Sequence, residues 1–415
     1  MSLFANFARY RELIAIPNVK ALLASTFPAR LAYGALPLTI FFKTVGDTKS
    51  IPLAGLAIGA NSLASSITSA ARGSIMDRYG NKWPLRIFVP GYSTLLILLN
   101  FAHSPLSIIS LAFILGVSAP PINLSVRPLW KPLVGPDRLR TAYALDTSVA
   151  STAGVLGPIL ATIVALSDHP GAALLFCALF IALGGASLAS IKISRDWVPE
   201  KKIPGENAVW RHPAMQLLMF EGAFIGFGWG AFNVAVPAFA TLERVPQNTA
   251  WILGAMGISN IFGGILAGLV AHRSSPLAQL RKTYLIWFIL SLPLALTNPD
   301  WSMVLVGAFL GLSAGALQVF YWEVMEAVRP LGSPTASMGW LWTIEGSFAA
   351  VGSALGGWLS KAASPRLCLG ITTIAIGCGL LILTLGRERL AKANQPPEYE
   401  VELGAIPDNP PLLGQ

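Results

Sequence analysis

Long apolar runs separated by short polar turns recur from one end of this chain to the other, and nothing constrains its fold more. A helix needs about 20 mostly apolar residues to cross the hydrocarbon core of a bilayer. Twelve stretches fit that need: 19–42, 51–71, 84–102, 105–126, 140–166, 170–191, 213–240, 249–271, 282–298, 301–328, 335–360 and 365–386. The runs are continuous rather than alternating, which argues against a strand-built barrel. Pro28, Pro37, Pro120, Pro121, Pro158 and Pro237 fall within them, and bilayer helices tolerate such interruptions. Charge is correspondingly scarce: 12% of residues are charged, against about 25% in soluble domains. The sequence therefore predicts an all-α integral membrane protein. Cys177, Cys368 and Cys378 all lie inside apolar runs, which suits buried or lipid-facing thiols better than disulfides or metal ligands. Residues 1–20 lack a small-residue cleavage site, so the first span is expected to be retained.

The basic residues set the orientation. With an even number of spans both termini share a side, and 22 of the 29 Lys and Arg fall on that side. Five fall opposite (Lys43, Lys49, Arg244, Lys361 and Arg366), and Arg30 and Arg127 lie in or at the edge of spans. This bias predicts that both termini are cytoplasmic. It also explains the formal charge of +9 by topology, without nucleic acid as a partner.

The longest connection, residues 193–212, divides the spans six and six, giving bundles over 1–192 and 213–390. The halves are weakly self-similar. Pro17, Leu22 and Gly34-Ala35 recur as Pro213, Leu218 and Gly230-Ala231; Gly73, Asp77 and Arg78 as Gly268, His272 and Arg273; Asp146, Ser148 and Gly157 as Glu345, Ser347 and Gly356. Offsets of 195 to 199 residues suggest duplication, and parallel six-span halves suit a transporter that rocks about a central site. The tail 391–415, rich in proline and acid, is expected to be a disordered cytoplasmic segment.

Between the second and third spans stands Gly73-Ser-Ile-Met-Asp77-Arg78-Tyr-Gly80-Asn-Lys82. Its spacing, G-x-x-x-D-R-x-G-x-K, resembles the signature loop of the major facilitator superfamily, with Asn81 where that family usually has a basic residue. The resemblance implies two pseudo-symmetric six-helix bundles and a cytoplasmic gate built on Gly73, Asp77, Arg78, Gly80 and Lys82. In that family the aspartate faces the start of span eleven, here near Thr335, where a helix N-terminus offers about half a positive charge. Gly73 would allow close helix approach and Gly80 a tight turn. In span five, Gly157-Pro158 matches the glycine-rich pattern of the superfamily's antiporters, although Ala153, Ala161 and Thr162 replace its glycines. The arginine those antiporters carry in span four has no counterpart around Ala112 to Gly116.

Ionisable groups inside spans are costly and usually line cavities or pair. They are Arg30, Asp146, Glu221, Glu323, Glu326 and Glu345, with Arg127 at the close of span four. Glu345, Glu221 and Asp146, opposed or assisted by Arg30, are the candidates for carrying a proton; which of the three meets Arg30 stays open. Arg127, Glu323 and Glu326 are expected to form interfacial ion pairs. Tyr33, Trp229, Asn233, Gln318 and Phe320, with Arg30, are candidate walls of an amphiphilic substrate cavity.

The favoured reading is a bacterial plasma-membrane secondary transporter, working as a monomer in the bilayer. It would export a small amphiphilic molecule in exchange for protons, with no cofactor beyond the proton gradient. The alternative keeps the fold and imports a sugar, organic acid or other nutrient, with Arg30 on a substrate anion. An enzyme is disfavoured: there is no H-E-x-x-H, no histidine cluster and no nucleotide-binding glycine loop.

Overall fold

A computed structural model describes residues 3–165, 171–200, 208–245, 247–270 and 274–394. Its helices are α1 (Leu3–Ala15), α2 (Val19–Thr48), α3 (Ile51–Tyr79), α4 (Lys82–Asn100), α5 (Pro105–Ser118), α6 (Ile122–Val134), α7 (Pro136–Ala165), α8 (Ala172–Ser190), α9 (Lys192–Arg195), α10 (Pro213–Leu242), α11 (Asn248–Gly268), α12 (Pro276–Ser291), α13 (Trp301–Val328), α14 (Pro334–Ala362) and α15 (Pro365–Leu385). Several begin with proline in the first turn under a serine cap, as at Ser50, Ser104, Ser275 and Ser364, where a missing N–H costs nothing.

Among the described residues, seven segments are long and apolar enough to cross a membrane, α5 and α6 counting as one. Five further helices, α2, α3, α4, α12 and α14, pack within the same bundle. They fall short by different routes: α12 is only 16 residues long, while α2 carries two internal prolines and several hydroxyls. Burial against neighbours, rather than raw hydropathy, makes room for such residues. The outer surface is studded with large apolar side chains, including Ile87, Leu106, Trp251, Ile374 and Ile163, as lipid contact requires.

Two sequence expectations need correction. The span expected at 105–126 is broken at Pro120-Pro121, neither of which can continue the helical hydrogen-bond ladder, and resumes as α6, which carries Arg127. The expected charged loop is mostly helix: α3 runs to Tyr79, so Gly73, Asp77 and Arg78 stand on it. The turn is confined to Gly80 and Asn81, with Gly80 at φ +71°. No strong helix breaker occurs before Gly80, so the helix simply continues.

Within the first six spans α2 packs on α7 and α8, α3 on α5, and α4 on α8. Within the last six α10 packs on α14 and α15, and α13 on α11 and α12. One close approach occurs twice. A Cβ on Gly157 of α7 would lie 2.6 Å from the Leu31 carbonyl of α2, and one on Gly356 of α14 would lie 3.0 Å from Ala231 Cα of α10. These glycines are equivalent under the sequence repeat, so small residues let the backbones touch at matching places. Of the repeat, His272 and Arg273 lie outside the described residues, as does the tail beyond Asn394.

The two sets of helices meet through α3 against α14 and α7 against α11. Hydrogen bonds joining α3 to α14 all fall between Ser66 and Asp77, and those joining α7 to α11 between Thr141 and Ser151. Both sets lie toward the end of the bundle that carries the Gly80-Asn81 turn, here termed the basic end.

Candidate functional site

At the basic end the N-terminus of α14 leaves its first backbone N–H groups without intrahelical partners. Asp77 takes two of them: Thr335 N–H donates to Oδ1 at 3.0 Å and Ala336 N–H to Oδ2 at 2.6 Å. The carboxylate is buried, so an anion and a helix dipole of the right sign meet with little water between them. Gly73, one turn earlier, makes this possible, since a Cβ there would sit 2.5 Å from the Thr335 carbonyl oxygen. Further along the same seam Thr343 Oγ1 donates to Ser66 O at 2.7 Å, and Gly339 lies against Ser69 and Ala70. Asn81 is buried and donates to Ser194 Oγ at 3.3 Å, which docks the turn on the connection after α8. Arg78 and Lys82 do not join this contact. Arg78 is exposed over Tyr79, and Lys82 lies over Trp83.

Beside the Asp77 contact lies a clasp of charge. Arg329, just past α13, donates to Glu200 at 2.7 and 2.8 Å and to Glu326 at 2.7 and 2.8 Å, and Gly332 N–H donates to Glu200 at 3.1 Å. Burial pushes the Glu200 carboxyl up, but the hydrogen bonds and charge of Arg329 outweigh it and hold the group below the ordinary carboxylate value. Burial likewise pulls Arg329 down, and Glu326 and Glu200 more than reverse that. A second tie crosses from α7 to α13: Arg140 Nε lies 2.8 and 3.0 Å from the two oxygens of Glu323, and its other nitrogens hold Ser274. Arg140 is almost wholly buried.

Away from the Asp77 contact a cavity of about 390 Å³ opens between the two sets of helices. Tyr33 of α2, Ser66 and Arg72 of α3, Asn123 of α6, Trp229 of α10, and Trp342 and Glu345 of α14 are among its walls. The broken span shapes it. Tyr33 OH donates to the Pro120 carbonyl at 2.6 Å, and Arg72 Nη1 donates to the Ala119 carbonyl, both freed by the Pro120-Pro121 interruption. Glu345 has neither hydrogen bond nor ion pair among the described residues, although it stands about 17 Å along its helix from Pro334.

The candidate residues separate into groups. Arg30 meets Asp146, with Nη2 2.6 Å from Oδ1 and Nε 3.3 Å from Asn123 Oδ1. Arg127 approaches the same aspartate at 3.8 Å and lies 4.1 Å over the Trp322 ring. Asp146 is thus held between two guanidinium groups rather than facing the cavity. Glu221 accepts from Tyr284 OH in the interior of the last six spans. Of the expected interfacial ion pairs, Glu323 joins Arg140 and Glu326 joins Arg329 and, at 3.9 Å, Lys131, while Arg127 turns inward to Asp146. Of the expected cavity walls, Tyr33 and Trp229 line the space. Phe320 lies under Arg140 at 5.4 Å, and Asn233 and Gln318 are exposed away from the cavity walls. These three are displaced because helix rotation, not depth alone, decides which side of a span meets the cavity.

Arg72 and Arg140 escape a reading of the sequence, in which both count as loop residues on the positive side. The signal was available in part: no breaker separates Arg72 from the span before it, and Arg140 is four residues into the helix that Pro136 begins. Their burial is a tertiary fact.

Two sets of helical spans closed against each other at one end, over a cavity of mixed polar and aromatic lining between them, define a carrier that moves small solutes across a membrane. A model of the Major Facilitator Superfamily matches residues 21–329. The chain belongs to that family, as a multi-pass membrane transporter rather than an enzyme. It is 27% identical over 275 residues to an uncharacterised transporter of the same type, y4rN, from Sinorhizobium fredii (strain NBRC 101917 / NGR234); the match spans 63% of this chain and 68% of that one. Among solved structures it resembles the human organic anion transporter MFSD10 (TETRAN), with TM-score 0.70 at 14% identity over 88% of this chain and 98% of that. It also resembles a bacterial homologue of the iron transporter ferroportin in an outward-facing state, with TM-score 0.72 at 12% identity over 89% and 99%. At such identities the likeness speaks for the fold alone.

Proposed function

We propose that this protein exports a small amphiphilic molecule from the cytoplasm in exchange for protons, with Glu345 as the group that carries the proton. The observation that carries this reading is the placement of Glu345: a carboxyl in the cavity wall, deep within a span, with no partner of its own. Such a group is costly to keep charged in a span and is relieved by a proton or by a cationic ligand. Proton and substrate then exclude one another at one atom, which is the requirement for exchange. Of the carboxylates buried more deeply, Asp146 and Glu323 already hold arginines, Asp77 holds two N–H groups of α14, and Glu221 accepts from Tyr284 OH away from the cavity wall.

In this reading both termini and the Gly80-Asn81 turn face the cytoplasm of a bacterial inner membrane, in keeping with the basic bias, and one chain suffices. With Asp77 on α14 the cavity is closed to the cytoplasm, and Glu345 takes a proton from outside. Neutral Glu345 favours rearrangement; Asp77 leaves α14, and the cavity meets the cytoplasm. There the proton leaves and substrate takes its place.

The test starts from a ligand-stabilisation screen of purified protein across amphiphilic, sugar and carboxylate panels. The best compound is then followed in inverted vesicles with an acidified lumen. Gradient-driven accumulation is expected in the native protein and not in Glu345→Gln, which should retain gradient-independent exchange. Accumulation that ignores the gradient, or that survives Glu345→Gln, overturns the reading.

A further inference from the structure

Among the described residues five arginines are buried: Arg30, Arg72, Arg127, Arg140 and Arg329. Four of them face a carboxylate, Arg30 and Arg127 at Asp146, Arg140 at Glu323, and Arg329 at Glu200 and Glu326. Arg72 has none among the described residues. Its hydrogen bonds run to backbone carbonyls and one hydroxyl: Nε to Thr68 O at 3.4 Å, Nη1 to Ala119 O, and Nη2 to Ser65 O at 2.6 Å and Ser65 Oγ at 3.2 Å. A guanidinium has five N–H donors, so these four bonds orient the group and leave it one donor and its whole charge. Both Arg72 and the equally unpartnered Glu345 line the cavity. No ion pair joins them, although each would relieve the other if they met.

We infer that the cavity binds a zwitterion: an oxyanion, most simply a carboxylate, at Arg72, a protonated amine at Glu345, and an apolar body between Trp229, Trp342 and Tyr33. This names the substrate class of the exchange proposed above and rests on that reading. A charge without a counter-charge, buried as Arg72 is or within a span as Glu345 is, is unfavourable, and a ligand that supplies the counter-charge recovers that cost in binding. Two charges of opposite sign held apart on different helices suit a ligand carrying both, because a singly charged one leaves the other group exposed to the same penalty. The carbonyl cradle also places the guanidinium without neutralising it, which keeps its charge and its remaining Nη1 N–H available for a carboxylate oxygen. The volume lies in the lower part of the range for small-molecule sites, roughly 300–1,000 Å³, and suits an amino-acid-sized amphiphile.

The test uses matched triads on three bodies, indole, phenyl and octyl. Each triad holds the amine, the acid, and the α-amino acid bearing both groups. Affinities are measured by calorimetry on the purified full-length protein. At least one zwitterion is expected to bind about tenfold or more tightly than its amine and its acid. Arg72→Gln should erase its advantage over the amine, Arg72→Lys should restore part of it, and Glu345→Gln should erase its advantage over the acid. Equal binding of amine and zwitterion, affinities unmoved by Arg72→Gln in a protein that melts normally, or no binding by any member overturns the inference. If Arg72→Gln changes nothing while Glu345→Gln abolishes gradient-driven transport, the zwitterion is wrong and proton exchange stands. If Arg72→Gln collapses affinity while Glu345→Gln stays coupled, the zwitterion site stands and the proton assignment falls.

Discussion

Replacing Asp77 with alanine should swing the protein from closed to open at its basic end. The carboxylate holds two N–H groups of α14 in a buried setting, at 3.0 and 2.6 Å. A hydrogen bond to a charged group contributes about 1.5–3 kcal/mol, and the helix dipole adds up to about 2 kcal/mol in partly buried geometry. Because one carboxylate serves all three interactions, their sum is not additive, and a net loss of about 2–4 kcal/mol is reasonable. The loss falls on the closed state alone, since the N–H groups of an opened gate bond water. The closed-to-open ratio should therefore drop roughly 30- to 1,000-fold; a protein that is ~99% closed would approach equal populations at about 100-fold. Asp77→Asn, which keeps one carbonyl acceptor but no charge, should shift the ratio by about half as much in free energy.

Spin-label distances report this directly. Tyr79 and Leu331 are exposed at the basic end, and Leu56 and Val351 are exposed toward the other. In Asp77→Ala the first pair should gain a longer component and the second a shorter one, with thermal stability largely retained. Distance distributions identical to the native protein's at both ends would refute the gate argument.

Gly73→Val should act in the same direction without touching a charge, because its Cβ cannot fit against the Thr335 carbonyl; cysteine labelling of the cavity from the basic end should rise at least about tenfold. Arg140→Gln strands Glu323 in the interior and should lower stability by about 3–5 kcal/mol; the double variant Arg140→Gln/Glu323→Gln should recover most of it in a thermal double-mutant cycle. The Glu200–Arg329 clasp carries its own pH signature. Glu200 is held below its ordinary carboxylate value, so the stability it adds is fully present above about pH 4.3 and is lost as pH falls through the lowered folded value. Hydrogen exchange around Gly332 should thus stay slow at pH 5 and quicken only in stronger acid, and Glu200→Gln should remove that pH dependence.

The reading of site residues divides along a physical line. Asp77 and Gly73 were legible through the resemblance of their local motif to a family signature, which implies both the charge and the space it needs. Glu345, Glu221 and Asp146 were legible together as candidates because any carboxyl deep in a span demands a reason, but nothing along the chain separates them. Which carboxylate meets Arg30 was not, since Asp146 lies more than a hundred residues away and Asn123 completes the contact only after the span breaks at Pro120-Pro121. Arg72 and Arg140 look like ordinary positive-side residues until the extension of α3 and the packing of α7 carry them inside.

By itself the sequence determined that this chain spans a membrane many times and roughly where most of its helices lie; the segment that meets the start of α14 was indicated only by its resemblance to a family motif. The spans follow from hydropathy and turn chemistry, which act between neighbours along the chain. Only the tertiary structure decided which charges neutralise one another and which are left facing a cavity. Those pairings depend on how helices rotate and where they cross, and the low dielectric between them makes each choice costly to reverse.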